Sequence, residues 1–117
     1  MENRRAIGKE KEELAEKYLK EQGYLILEKN FYSHFGEIDI IAKDGRYLVF
    51  LEVKYRRSAL EGYPAEAVDK RKQQRICRTA QYYLYVRGFS ADMPCRFDVV
   101  AIQGNEITLI KNAFGGI

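Results

Sequence analysis

Between residues 5 and 22, Ile7, Leu14, Ala15, Tyr18 and Leu19 recur at intervals of three, four and seven, which is helical spacing. The spacing predicts a first helix there, and Gly23 stands where a helix ends in a left-handed residue. An apolar run, Tyr24-Leu25-Ile26-Leu27, predicts a first strand over about 24–31. Residues 33–36 read as a turn, and 37–42 as a second strand. Asp44-Gly45 is a strong tight-turn signal between two strand-like runs. The third strand, about 46–55, contains Tyr47-Leu48-Val49-Phe50-Leu51, which is apolar on both faces and suits a central strand covered on both sides. Residues 57–63 read as a loop, and Pro64 suits the first turn of a second helix. Val68, Ile76, Ala80, Tyr83 and Leu84 sketch its apolar face, and Gly88 ends it after about Arg87. Strands over about 96–102 and 106–110 follow, joined at Gly104-Asn105, and 113–117 reads as a frayed tail. The expected fold is α/β with a mixed sheet, in the order α-β-β-β-α-β-β. The first three strands form a meander, and the second helix crosses to the fourth.

Composition narrows the class. A chain of 117 residues is one domain's worth, and 46% hydrophobic residues can build a core without staples. Nine Gly and two Pro exclude a fibrous or low-complexity chain. Cys77 and Cys95 make no CxxC or Cys/His spacing, so a zinc site is not expected, and both read as ordinary thiols of a reducing cytoplasm. The first thirteen residues are charged throughout and lack the apolar stretch of a signal peptide. No apolar run approaches the roughly 18 residues of a membrane span. The expected location is the cytoplasm. Net charge is only +3, but eight cations face three anions between Lys54 and Arg78, so this segment is +5 and the remainder −2.

Candidate chemistry lies at the end of the third strand. Residues two apart share a strand face, so Leu48, Phe50, Glu52 and Lys54 point the same way. A carboxylate and an ammonium at the end of an apolar row are costly unless paired or bound to a metal. Alone, the triplet Glu52-Val53-Lys54 also fits a structural ion pair at a sheet rim. Asp39 on the second strand shifts the balance. Alternation groups Ile38, Ile40 and Ala42 on one face and Glu37, Asp39 and Ile41 on the other. Asp is a poor strand former, and a hairpin centred near Asp44-Gly45 sets Asp39 across from about Phe50 or Leu51, one or two residues short of Glu52. Two carboxylates and the Val53 carbonyl would offer hard oxygen ligands to Mg²⁺ or Mn²⁺. Such an ion polarises a phosphoryl oxygen and acidifies water. Lys54 would orient the water or stabilise charge on phosphorus. Glu12 borders the apolar stripe of the first helix and is a fourth candidate, or else one of several solvated glutamates. On the second helix Lys72 falls on the sheet side, followed by Gln73. Lys70, Arg71, Arg75, Arg78 and, just past the third strand, Arg56 would contact phosphates without reading sequence. A solvated basic face is the plainer alternative. Tyr82, Tyr83 and Tyr85 read as packing residues and His34 as non-catalytic. Arg96 is a candidate partner for a site carboxylate, and Asp98 reads as structural.

At this point the chain resembles the bacterial YraN family, itself similar to archaeal Holliday junction resolvases within the PD-(D/E)XK nuclease superfamily. The residues that carry the resemblance are Gly8, Glu12-Glu13-Leu14-Ala15, Tyr18-Leu19, Gly23-Tyr24, Asn30, Gly36-Glu37-Ile38-Asp39, Val49-Phe50-Leu51-Glu52-Val53-Lys54, Lys72 and Arg96-Phe97-Asp98-Val99-Val100. The resemblance implies a restriction-endonuclease-like three-layer fold. It implies a metal aspartate at Asp39, the second acid at Glu52, the catalytic lysine at Lys54, the helix glutamate at Glu12, and a Lys or Gln contribution from Lys72 and Gln73. Lys11 stands where the family usually has Gly, and Ile38 stands where the superfamily's name has proline. The implied activity is Mg²⁺- or Mn²⁺-dependent cleavage of DNA, including branched or junction DNA. A chain this short contacts little DNA, so a homodimer is expected on a junction. The alternatives are a nucleic-acid-binding module that kept the fold without useful activity, and an interaction protein whose Glu52–Lys54 cluster is only structural.

Overall fold

The computed structural model describes residues 4–57 and 68–115. It contains α1 (Arg4–Glu21), β1 (Leu25–Ser33), β2 (Gly36–Asp44), β3 (Tyr47–Arg56), α2 (Lys70–Val86), β4 (Cys95–Gln103) and β5 (Glu106–Phe114). The strands form one sheet in the order β1-β2-β3-β4-β5, antiparallel except for the parallel pair β3–β4 that α2 connects. The element order and the open mixed sheet are those of the restriction-endonuclease-like fold.

The apolar row on each face of β3 recruits one helix. Ala15 and Leu19 of α1 bury against Ile40, Ala42, Val49, Leu51, Val100 and Ile102. Ile76, Cys77, Ala80, Tyr83 and Leu84 of α2 bury against Phe31, Ile38, Ile41, Leu48, Phe50, Phe97 and Val99. Each large side chain fully buried this way contributes roughly 1.5–3 kcal/mol. Both helices stop by the same device. Gly23 takes a φ of 92°, its N–H reaches the Lys20 carbonyl, and Tyr24 N–H reaches Leu19 at 2.9 Å. Gly88, at φ 72°, does the same with Tyr85, and Phe89 N–H bonds to Leu84.

Several boundaries differ from the expectations. Tyr24 precedes β1 rather than opening it, buried beside Leu19 as the residue after the helix stop. The second helix begins at Lys70, because Asp69 caps it by accepting from Lys72 N–H at 2.9 Å. Val68 lies before that cap, buried but outside the helix, so its helical spacing to Lys72 and Ile76 is coincidental. Pro64 and the loop expected over 57–63 fall, but for Arg57, outside the described residues. The start of the expected tail, Ala113 and Phe114, belongs to β5, which runs to Phe114, whose ring stacks on Phe97 with centroids 4.9 Å apart; residues 116–117 lie outside the described residues. Only Tyr83 of the three tyrosines packs inside, whereas Tyr85 is 78% exposed.

Candidate functional site

Strand β3 carries Glu52 and Lys54 to one end of the sheet on the α2 side, following Leu48 and Phe50 as period two requires. Strand β2 brings Asp39 to the same end. Ile40 pairs with Leu51, so Asp39 lies one step further along β2, level with Glu52 rather than with Phe50 or Leu51. The face assignment within β2 also changes. Ile38 belongs to the α2-side core with Ile41, while Ile40 and Ala42 belong to the α1 side, so alternation breaks at Asp39. The neighbouring strand breaks with it. Lys29 pairs with Ile40 and Phe31 with Ile38, leaving Asn30 opposite Asp39 at a left-handed φ of 54°. That kink turns Asp39 out of the ladder, and its Oδ2 accepts from Val53 N–H at 2.8 Å.

Glu52 is 7% exposed and heavily countered. Its Oε1 lies 2.7 Å from Lys72 Nζ and 3.5 Å from Lys54 Nζ. Lys72 thus points from α2 onto the sheet, and the Asp69 cap on its own N–H fixes the turn that aims it. Burial pulls Lys72 down, but its bonds to Glu52 and Lys54 and the charges of Glu52 and Asp39 outweigh that, so its proton is held more tightly than usual. Lys54 goes the other way: burial and the adjacent Lys72 lower its proton affinity. Burial, then the charge of Glu52, push Asp39 up to about 7 against the opposing Val53 bond, with Glu12 and Glu37 adding to the rise. Glu12, half-buried on α1, is raised by burial and by Glu37 and Glu52, with Lys29 partly offsetting. Two carboxylates therefore meet with a third nearby, and among the described residues no cation makes an ion pair with Asp39 as Lys72 and Lys54 do with Glu52.

The other candidates divide. Lys70, Arg71 and Arg75 stand exposed along α2. Gln73 is occupied in part, its amide donating to the Val68 carbonyl at 3.0 Å. Arg56 Nη1 donates to the Tyr55 carbonyl at 2.9 Å. Lys11 sits over the Tyr55 ring, 4.6 Å from its centroid, tying α1 to the site end of β3. Among the described residues, no three His, Cys, Asp or Glu side chains converge closely enough to hold a metal ion as they stand. Arg96 pairs with no site carboxylate. It lies toward the opposite end of the parallel pair, level with Val49, where it binds Asp98 at 2.8 Å and Asp44 at 2.7 Å. A parallel β4 enters beside the start of β3, which the i, i+2 spacing of Arg96 and Asp98 does not reveal. Cys77 and Cys95 are free thiols. Among the described residues no helix is long and apolar enough to cross a membrane.

Comparison with known sequences gives a family without an assigned activity. The profile of UPF0102, an uncharacterised protein family, matches residues 11–102, a span that holds Glu12, Asp39, Glu52, Lys54 and Lys72. A UPF0102 protein of Lachnoclostridium phytofermentans is 52% identical over 112 residues, covering 96% of this chain and 95% of its own. One from Persephonella marina is 49% identical over 107 residues, covering 92% and 91%. Another, from Thermodesulfovibrio yellowstonii, is 50% identical over 108 residues, covering 92% and 95%.

Proposed function

The chain belongs to the uncharacterised protein family UPF0102, and from that membership and the geometry of its sheet end we propose a divalent-metal-dependent nuclease that hydrolyses DNA phosphodiester bonds, with branched or junction DNA among its substrates. The observation that carries this reading is the meeting of Asp39 and Glu52 from adjacent strands, with Lys54 on the face of Glu52 and a backbone N–H aiming Asp39.

The donor set fits a hard cation. Asp39, Glu52, the Val53 carbonyl and Glu12 offer oxygen only, the preference of Mg²⁺ and Mn²⁺. The raised proton affinity of Asp39 beside Glu52 is the electrostatic state that a cation relieves. When bound, the ion supplies charge to a phosphoryl oxygen and acidity to water. The chain's own residues do the rest. Val53 N–H holds Asp39 in one orientation. Lys72 lies 2.7 Å from Glu52 Oε1 and neutralises it, and its ammonium would be placed to contact a phosphate at this end of the sheet. Lys54, whose proton is loosened by burial, stabilises charge building on phosphorus or orients the attacking water. Lys70, Arg71, Arg75 and Arg56 hold backbone phosphates without reading bases. A homodimer would bring two such centres to the two strands of a junction.

Calorimetric titration with Mg²⁺ and Mn²⁺, with cleavage assays on linear, branched and single-stranded DNA, tests the proposal. Asp39→Asn and Glu52→Gln should each lose metal binding and at least about a hundredfold in cleavage, since the ion supplies several kcal/mol of charge stabilisation. Unchanged turnover in both variants would sink the assignment.

One observation favours a second reading, a nucleic-acid-binding module without useful catalysis. Glu52 is already satisfied by two lysines, and the described acids are not gathered as a metal set. That reading expects salt-sensitive DNA binding without metal, weakened by Lys70→Ala, Arg71→Ala and Arg75→Ala, and no cleavage under any of these conditions.

A further inference from the structure

The tip of the β1–β2 hairpin and the outer face of α2 enclose a cavity of about 310 Å³ lined by His34, Phe35, Arg71, Gln74, Arg75 and Arg78. Such a volume is at the lower end of small-ligand sites. Arg71, Arg75 and Arg78 are spaced four and three apart, so they share one helix face. All three are exposed, and among the described residues none of them makes an ion pair. Like charges at this spacing weaken a helix, and an anion seated among them removes that penalty. The opposite wall is aromatic. The rings of His34 and Phe35 lie 4.0 Å apart, and outside the cavity Tyr82 of α2, 40% exposed, is 6.5 Å from each.

The two walls are tied together. Thr79 is fully buried, donates to the Arg75 carbonyl at 2.8 Å, and lies 3.3 Å from Ser33 Oγ. Ser33 Oγ in turn accepts from Phe35 N–H at 3.1 Å. Gly36 rests close against α2, where a Cβ would sit in ordinary contact 3.6 Å from Arg75 Cβ and 3.7 Å from Thr79 Oγ1. The cavity lies at the same end of the sheet as the carboxylate centre. Gly36 is three residues from Asp39 along β2, roughly 10 Å at strand rise. On α2, Lys72 follows Arg71 directly and reaches Glu52.

We propose that this cavity binds an unpaired nucleotide of a DNA substrate, adjoining the phosphodiester held at Asp39 and Glu52. The His34 and Phe35 rings stack the base, and the three guanidinium groups hold its phosphate. A base inside a duplex is already stacked and does not enter, so the cavity selects DNA in which a single-stranded arm meets a duplex. This rests on the DNA reading above and adds the substrate class. Arginines among aromatic rings also suit an acidic protein segment. Its place at the same end of the sheet as the carboxylate centre favours nucleic acid.

The test measures binding in EDTA, where cleavage plays no part. Fluorescence anisotropy compares a blunt duplex with the same duplex carrying a five-nucleotide arm, for the wild type, His34→Ala, His34→Phe and Arg78→Ala. His34→Ala and Arg78→Ala should each weaken the armed duplex about tenfold, the scale of one stacked base or a phosphate contact, while blunt duplex changes little. His34→Phe should restore stacking and affinity. Equal losses on both DNAs would reduce the cavity to general positive charge, and unchanged affinity on the armed duplex would also overturn the proposal. A polyglutamate peptide that binds with this His34 dependence, where armed DNA does not, would reassign the cavity to a protein partner. Wild-type protein that binds neither DNA in EDTA would overturn this proposal, while the nuclease reading stands or falls separately on metal-supported cleavage. Armed-duplex selectivity without cleavage on adding Mg²⁺ or Mn²⁺ would remove the nuclease reading alone.

Discussion

At the scale of single residues, Asp39 and Glu52 differ in what neutralises them. Glu52 has Lys72 at 2.7 Å and Lys54 at 3.5 Å, whereas Asp39 has a peptide N–H and carboxylate neighbours. The difference makes stability depend on pH in metal-free protein. The folded-state pKa of Asp39, about 7, stands above the ordinary carboxylate value, so the folded form binds the proton more tightly than the unfolded chain. Stability from this group is fully present below about pH 4 and is lost as pH rises through about 7. Glu12 is raised as well and acts in the same sense. Urea denaturation in EDTA at pH 5 and pH 8 should show the wild type losing on the order of a few kcal/mol at the higher pH. Asp39→Asn should lose much less, and millimolar Mg²⁺ at pH 8 should recover the wild-type deficit. A wild-type profile as flat as that of the variant would mean that Asp39 is not held among like charges. Glu52 and Lys54 were legible in the sequence because an apolar row at period two ends in them. The position of Asp39 was legible only to within a residue. Its neighbours break the period at Asn30 and Asp39, and no alternation rule encodes a paired kink.

At the scale of elements, α2 decides how the basic segment meets the sheet. Its start is set by Asp69, whose carboxylate accepts from the same Lys72 whose ammonium reaches Glu52. Removing the cap should therefore have two effects. Asp69→Ala should cost about 1 kcal/mol by thermal or urea unfolding, the usual worth of an N-cap. It should also loosen Lys72 from Glu52, which Asp69→Ala in a Lys72→Ala background separates, because the second effect vanishes there. A cost equal in both backgrounds would show the cap to be independent of the site. The apolar face of α2 from Ile76 to Leu84 follows from its spacing. The start does not, because buried Val68 sits in register with the helical positions while belonging to the segment before the cap. β5 shows the converse limit. Phe114 extends it by stacking on Phe97, a contact between residues 17 positions apart that local pattern does not contain.

At the scale of the whole molecule, charge is buried at two ends of one sheet for different reasons. At the site end the acids repel, while at the other end Arg96 closes a satisfied network. It donates to Asp98, Asp44 and the Tyr24 hydroxyl, Tyr24 donates to Asp98 at 2.8 Å, and Asn112 N–H bonds Asp98 at 2.9 Å. Asp98 is 1% exposed, so it depends wholly on these partners. The network joins α1's exit, the β2–β3 turn, β4 and β5, and thereby fixes the frame that sets Asp39 beside Glu52. Its sequence signal, Arg96-Phe97-Asp98, was visible, but which end of the sheet it occupied depended on the parallel entry of β4. Arg96→Ala leaves the buried Asp98 charge without its cation and should cost about 3 kcal/mol or more. For a chain this size that is a fall of about 10 °C or more in Tm. Asp39→Asn, by contrast, removes a repelled charge and should leave Tm at neutral pH unchanged or raised. Thermal scans of the two variants side by side, with DNA cleavage measured well below both transitions, give the decisive comparison. The expected result is a destabilised Arg96→Ala that cleaves like wild type while folded, and a stable Asp39→Asn that does not cleave. Should Arg96→Ala lose activity at full folding, the two ends would be coupled through the sheet, and the separation of frame from site would be wrong.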